Sequence, residues 1–348
     1  MKKRTAPLML LLMALLLTGC AAKAQTRTVY AMDTVLRLTA YGKDADAALD
    51  DAAERLYALD ALLDRHSEKS AVSALNRGGY TEDATLVQLI QDALSLSAET
   101  FGAFDPTLAP VLEAWGFGGE SFRVPSDDEL ARLLEKTGAE NVSVSGDTTS
   151  VTLAPGTQID LGGIAKGYAG DCVKEIFENH GCTGTIDLGG DVVLCGKKTD
   201  GSDWRVAVKD PRDPSDFLGT LTAADCAVVT SGAYERYFTQ GGVAYHHILD
   251  PETGRPAESG LVSVTVICGY GEAADALSTA LFVMGADAAE ELCRKAFSAG
   301  LDSNHLPSDR TLFSYILVTD DNRVLYSGSL ADSFTPNEKS GYTYEELT

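Results

Sequence analysis

Residues Asp160-Leu161-Gly162-Gly163-Ile164-Ala165-Lys166-Gly167-Tyr168-Ala169 put an acid, three glycines and a lysine at the start of a helical pattern. Ile164, Tyr168, Val173, Ile176 and Phe177 continue it at helical spacing. The start of a helix presents unpaired N–H groups to an anion, and glycines let a phosphate approach the backbone. Lys166 beside that turn suits a phosphorylated ligand. A strand-to-helix turn that simply needs glycine gives the same pattern.

Two further groups could do chemistry. In Glu272-Ala273-Ala274-Asp275-Ala276-Leu277-Ser278-Thr279, Asp275 and Thr279 are four apart and share a helix face. Hard oxygen ligands so placed suit Mg²⁺, which takes few protein ligands and fills its shell with water and phosphate oxygens. A polar edge on a packed helix is the competing reading. As a metal ligand, Asp275 is expected near the surface and cheap to remove. In Tyr245-His246-His247-Ile248-Leu249-Asp250-Pro251-Glu252-Thr253-Gly254, two of the five histidines are adjacent before an Asp-Pro turn. A histidine titrating near 6.5 can act as general base for a hydroxyl. Neighbours on an extended segment face opposite ways, so at most one of the two belongs in a site, and a turn with incidental histidines is the competing reading. Gly102-Ala103-Phe104-Asp105-Pro106-Thr107, followed by Trp115-Gly116-Phe117, makes a loop with aromatics that could stack on a ligand or pack a core.

The elements that must hold these groups read as mixed α and β. Helices are expected at Ala45 to Leu63, Thr85 to Phe101, after the capping box Ser126-Asp127-Asp128-Glu129, at Ala273 to Met284 and at Ala288 to Phe297. Strands are expected at 141–145, 149–154, 184–188, 191–195, 204–209, 227–229, 261–268, 312–319 and 323–327. The first two should form a hairpin across Gly146-Asp147. Strands cluster instead of alternating with helices, which favours an α+β fold over a doubly wound sheet.

Lys2, Lys3 and Arg4 precede an apolar run from Leu8 to Leu17, followed by Leu17-Thr18-Gly19-Cys20. That reads as an export signal, 1–19, too short to span a bilayer of roughly 30 Å. Cys20 after Leu-Thr-Gly resembles a lipoprotein cleavage site, so 20–28 reads as a lipidated cysteine and tether. The expectation is an exported protein, anchored by lipid on Cys20 at the outer face of a bacterial cytoplasmic membrane. Residues 29–330 would form the body and 331–348 a C-terminal tail. Losing Lys2, Lys3 and Arg4 takes the formal charge from −23 to −26. That argues against nucleic acid as a partner. It also demands locally focused positive charge for any anionic ligand. The six cysteines after Cys20 lack CxxC or zinc spacing, and several lie in apolar runs, so they read as small buried hydrophobes.

Taken in order, Met32-Asp33-Thr34, Phe104-Asp105-Pro106-Thr107, the Asp160 to Ala169 segment, Asp187-Leu-Gly-Gly-Asp191, Thr230-Ser231-Gly232, His247-Ile-Leu-Asp-Pro-Glu-Thr-Gly254 and Ala274-Asp275-Ala-Leu-Ser-Thr279-Ala resemble the ApbE family of FAD:protein FMN transferases. The resemblance runs from about Tyr30 to Tyr326. It implies mixed or antiparallel sheets flanked by helices, in two lobes with a flavin cleft between them. It implies Mg²⁺-dependent transfer of FMN from FAD to a Ser or Thr hydroxyl of an acceptor flavoprotein, with release of AMP. Some members hydrolyse FAD instead, and a flavin-binding lipoprotein without turnover is a further alternative. By match to the motifs, Met32, Ala103, Phe104, Asp105, Asp160, Lys166 and Ile248 would line the FAD site. Asp275, Thr279 and the Gly163 carbonyl would hold Mg²⁺, and His247 would be the base. His66 stands where the family often has Tyr, or Asn in hydrolytic members.

Overall fold

The computed structural model describes residues 23–119, 121–299 and 312–347. The expected signal segment and Cys20 lie outside the described residues. Nine strands form one sheet whose spatial order follows the chain. They are β1 (Gln25–Ala31), β2 (Thr34–Tyr41), β3 (Thr183–Leu188), β4 (Val192–Cys195), β5 (Ala227–Gly232), β6 (Leu261–Cys268), β7 (Phe313–Thr319), β8 (Arg323–Ser327) and β9 (Thr343–Leu347). Every pairing is antiparallel except β8 with β9.

Three helices cover one face: α1 (Ala45–Leu63), α2 (Ala165–Asn179) and α3 (Gly271–Met284). α1 turns Leu49, Ala52, Leu56 and Leu59 inward. They share a core with Leu36 and Leu38 of β2, Val173 and Phe177 of α2, and Val264 and Val266 of β6. Removing one such leucine side chain costs about 2–5 kcal/mol. α3 is buried nearly all round, so Asp275 and Ser278 are held among apolar neighbours. The opposite face of the sheet packs against strands Trp204–Lys209, Phe217–Ala223 and Phe334–Pro336, through Val208, Leu218, Leu221, Val228, Ile316 and Val324.

A third, smaller core gathers around Trp115. It joins helices Ala109–Trp115 and Asp127–Leu134 to the hairpin Tyr237–Gln240/Val243–His246. The buried Trp115 Nε1–H donates to the Gly254 carbonyl at 2.7 Å, which satisfies the indole and ties the Asp-Pro turn to this module. Fold class, the α1 boundaries and the Val142–Val144/Val151–Leu153 hairpin agree with the sequence reading.

Two expectations need correction. Residues 331–347 are not a tail: Phe334 and Tyr342 are buried in the second core, and β9 closes the sheet. β1 and β2, absent from the expected strands, form a hairpin whose turn residues Met32 and Asp33 both have positive φ (54° and 57°). That is the primed-turn geometry which matches strand twist. It lacks the Asn-Gly or Asp-Gly signature that usually announces it.

Candidate active site

A cavity of about 670 Å³ opens where the main body meets the Trp115 module. Every site residue expected from sequence faces it: Met32, His66, Ala103, Phe104, Asp105, Asp160, Gly163, Lys166, His247, Ile248, Asp275 and Thr279. Apolar walls come from Met32, Phe104, Leu108, Phe117 and Ile248. The volume and the mixed lining suit a flavin-sized ligand.

The chain reaches this arrangement by local devices. The β1–β2 turn is pinned by the Met32 N–H, which donates to Asp60 Oδ1 at 2.7 Å. Asp105 accepts from the Thr107 N–H (2.8 Å) and hydroxyl (2.5 Å), which fixes the loop after Phe104. Burial pushes the Asp105 carboxyl upward against those two bonds. Asp160 caps its own turn by accepting from the Gly162 N–H at 2.7 Å, and its other oxygen lies 2.7 Å from Arg65 Nε.

The glycines of α2 do other work than a phosphate cradle. A Cβ on Gly167 would lie 2.0 Å from the Gly271 carbonyl oxygen, so Gly167 lets α2 and α3 touch backbone to backbone. The Gly167 N–H donates to Asp275 Oδ2 at 3.0 Å. The expected free anion-binding N–H is therefore satisfied by a protein carboxylate. Asp275 itself is buried, contrary to the near-surface expectation. A side chain on Gly163 would crowd the Phe104 ring and touch Thr279 Oγ1, so that backbone runs against the α3 face.

Lys166 donates to Asp191, whose carboxylate also accepts the Thr230 N–H at 2.9 Å. Burial by itself lowers the Lys166 pKa, but Asp191 and Asp275 outweigh it and hold the ammonium above its ordinary value. Burial raises the Asp275 carboxyl, Lys166 opposes this, and Asp191 and Glu235 add to it. Burial likewise raises Glu235. Lys166→Met should therefore act first on stability. It leaves Asp191, whose side chain is only 3% exposed, without its counter-ion. One-sided removal from a buried pair costs roughly 3–5 kcal/mol. The lower end is expected because Lys166 itself is 29% exposed. Denaturant unfolding of Lys166→Met, compared with Lys166→Met/Asp191→Asn, checks this. Equal stability of the single variant and the parent would mean that Asp191 does not depend on Lys166.

The oxygen donors fit a hard divalent cation. Asp275 and Thr279 stand one turn apart at the cavity. Thr279 Oγ1 lies 3.3 Å from Ser231 Oγ, which in turn is 2.7 Å from Ser278 Oγ. Two buried carboxylates, Asp191 and Asp275, share Lys166, so this part of the site carries an anionic excess that a divalent ion would balance. Among the described residues no group of three or more His, Cys, Asp or Glu side chains could hold a metal, so any cation here would need hydroxyl or carbonyl oxygens as well.

The adjacent histidines part as strand alternation requires. His246 turns toward Phe282, with ring centroids 5.4 Å apart, and donates from Nε2 to the Ala257 carbonyl. His247 lines the cavity, and its Nδ1 lies 3.1 Å from the Arg236 carbonyl oxygen. A carbonyl only accepts, so Nδ1 carries the proton and Nε2 keeps a lone pair. Desolvation lowers the His247 pKa to about 4.

Sequence reasoning left Arg65, Asp191, Ser231, Lys209 and Arg236 without roles. Asp191 and Ser231 fell inside quoted motifs, but only the fold shows that they brace Lys166 and Thr279. Lys209 and Arg236 reach the same cavity from a strand end and a turn, with no local pattern to mark them.

The profile of the ApbE family matches residues 32–301. The FAD:protein FMN transferase of Treponema pallidum is 31% identical over 335 residues, covering 88% of this chain and 92% of that one. The enzyme of the same name from Escherichia coli K12 is 31% identical over 310 residues, covering 82% and 88%. Among solved structures, the ApbE protein of Thermotoga maritima superposes with a TM-score of 0.81 at 34% identity, over 89% of this chain and 98% of its own. Flavin transferase ApbE from Vibrio cholerae gives 0.73 at 26% identity, over 91% and 97%. The profile runs through every wall of the cavity, from Met32 to Thr279, and the chain belongs to the ApbE family.

Proposed function

We propose that this protein transfers the FMN half of FAD to a Ser or Thr hydroxyl of an acceptor flavoprotein, with Mg²⁺, and releases AMP. The observation that carries the reading is one cavity holding both the unprotonated Nε2 of His247 and the Asp275–Thr279 oxygen pair, beside apolar walls wide enough for a flavin. Asp275, Thr279 and the Gly163 backbone would hold Mg²⁺, which would neutralise phosphate oxygens. Met32, Ala103, Phe104 and Ile248 hold the ring system, while Asp105 and Asp160 offer it polar contacts. His247 Nε2 takes the proton of the acceptor hydroxyl as the new ester O–P bond forms. The anhydride O–P bond breaks, and its electron pair leaves on AMP. Phosphoryl chemistry of this kind needs positioning and charge neutralisation above all.

Incubating the protein with FAD, Mg²⁺ and an acceptor, then weighing the acceptor, tests this. A mass gain equal to FMN less water supports transfer. Free FMN and AMP with an unmodified acceptor would make the protein an FAD pyrophosphatase. FAD bound without turnover would make it a flavin-binding protein.

We further propose that the protein is exported and held to the membrane by lipid on Cys20, from the Leu17-Thr18-Gly19-Cys20 sequence after a short apolar run. Two or more acyl chains hold a protein stably where one does not. Cys20→Ala should move it to the soluble fraction, and a variant that still sediments with membranes would end this reading.

A further inference from the structure

We propose that Lys209 and Arg236 form the subsite for the pyrophosphate of the dinucleotide, an inference that rests on the flavin-transfer reading above. Among the described residues, the cavity wall carries seven acids and, besides His66 and His247, four basic side chains, Arg65, Lys166, Lys209 and Arg236. Two of the bases are already committed. Arg65 lies 2.7 Å from Asp160 and 3.2 Å from Glu113, and Lys166 pairs with the buried Asp191. Lys209 and Arg236 have no ion-pair partner among the described residues. Glu235 feels the charge of both without bonding to either.

Their placement suits an anion entering from solvent. Lys209 ends the strand Trp204–Lys209 and holds its ammonium 5.3 Å from the centre of the Tyr234 ring. That ring face keeps the charge at the wall without neutralising it. Arg236 follows two residues later, and its carbonyl accepts both the backbone N–H and the Nδ1–H of His247, each at 3.1 Å. The guanidinium is thus carried on the backbone segment that orients the base. A pyrophosphate diester bears two negative charges. It would meet a wall with a net acidic excess unless free cations faced it. Arg236 can grip two phosphate oxygens at once, and Lys209 supplies a second point charge. With a formal charge of −26 expected on the processed chain, these two also give the cavity mouth the local positive potential that draws in an anion.

Equilibrium binding of FAD and of riboflavin, followed by flavin fluorescence, tests this with Lys209→Met and Arg236→Met. Riboflavin carries the ring system without phosphate. Each substitution should weaken FAD about tenfold, as expected when a charge-assisted hydrogen bond is removed from a half-open site. Riboflavin affinity should stay at the parental value, and the salt dependence of FAD binding should flatten. Parental FAD affinity in both variants, or an equal weakening for riboflavin, overturns the proposal while leaving flavin transfer standing. A parent protein that binds neither flavin overturns the functional reading and this inference with it.

Discussion

Asp275→Asn is expected to abolish Mg²⁺-dependent FMN transfer while leaving the protein folded. Asn keeps an oxygen to accept the Gly167 N–H, now bonded at 3.0 Å, but brings no charge to a cation. Asp275→Ala removes both. It leaves a buried N–H without an acceptor, at a cost of about 1–3 kcal/mol. Part of that is offset by removing a carboxylate whose charge is disfavoured by burial and by Asp191 and Glu235. Comparing the two variants therefore separates the metal role from the helix-to-helix bond. The decisive measurement is the transfer rate across a Mg²⁺ titration. A near-parental rate for Asp275→Asn at limiting Mg²⁺ would rule out Asp275 as a ligand. Thr279→Val then removes the second oxygen in nearly the same shape.

His247→Ala should cut FMN transfer by at least about 10²-fold, the lower bound for a positioned acid–base group. FAD should still bind, because Met32, Phe104, Ile248, Lys209 and Arg236, proposed above to hold its ring and phosphates, are untouched. His246→Ala should be mild, since that ring packs on Phe282 away from the cavity. The pH profile is the sharper check. A base works unprotonated, and His247 takes a proton only as pH falls toward about 4. At saturating Mg²⁺, kcat/KM for transfer should stay level from pH 8 through pH 6 and decline only below that. An acid limb near 6.5 that vanishes in His247→Gln would show that the imidazole is not desolvated in the working enzyme. Full activity of both alanine variants would place the base on another residue.

Much of the site could be read in the sequence because its residues travel in short motifs with distinctive chemistry. Asp275 and Thr279 at four-residue spacing, and His247 beside the turn-forming Asp250-Pro251, announce themselves locally. The clustering of β-prone segments did the same for the fold class. What escaped depends on contacts far apart in the chain. Asp191 braces Lys166 across 25 residues, and the Gly167–Asp275 bond spans 108. No local pattern tells a glycine needed for helix contact from one needed for phosphate. The β1–β2 hairpin was missed because Met32 and Asp33 adopt positive φ without the usual turn residues. β9 was missed because Tyr344, Glu345 and Glu346 look like a polar tail, although parallel pairing with β8 and the Tyr344 hydroxyl's bond to the Leu218 carbonyl hold them in the sheet.

The sheet order has a consequence for how the chain comes into being. Neighbouring strands are mostly close in sequence, but β2 and β3 are separated by about 140 residues. Closing a loop of that length costs roughly 4 kcal/mol of chain entropy before any contact rewards it. At a synthesis rate of roughly 5–20 residues per second, β3 emerges on the order of ten seconds after β2. Throughout that interval the inner edge of the β1–β2 hairpin has no native neighbour. An unpaired edge is a template for pairing with other chains, so this hairpin is exposed to misassembly while the chain is being made.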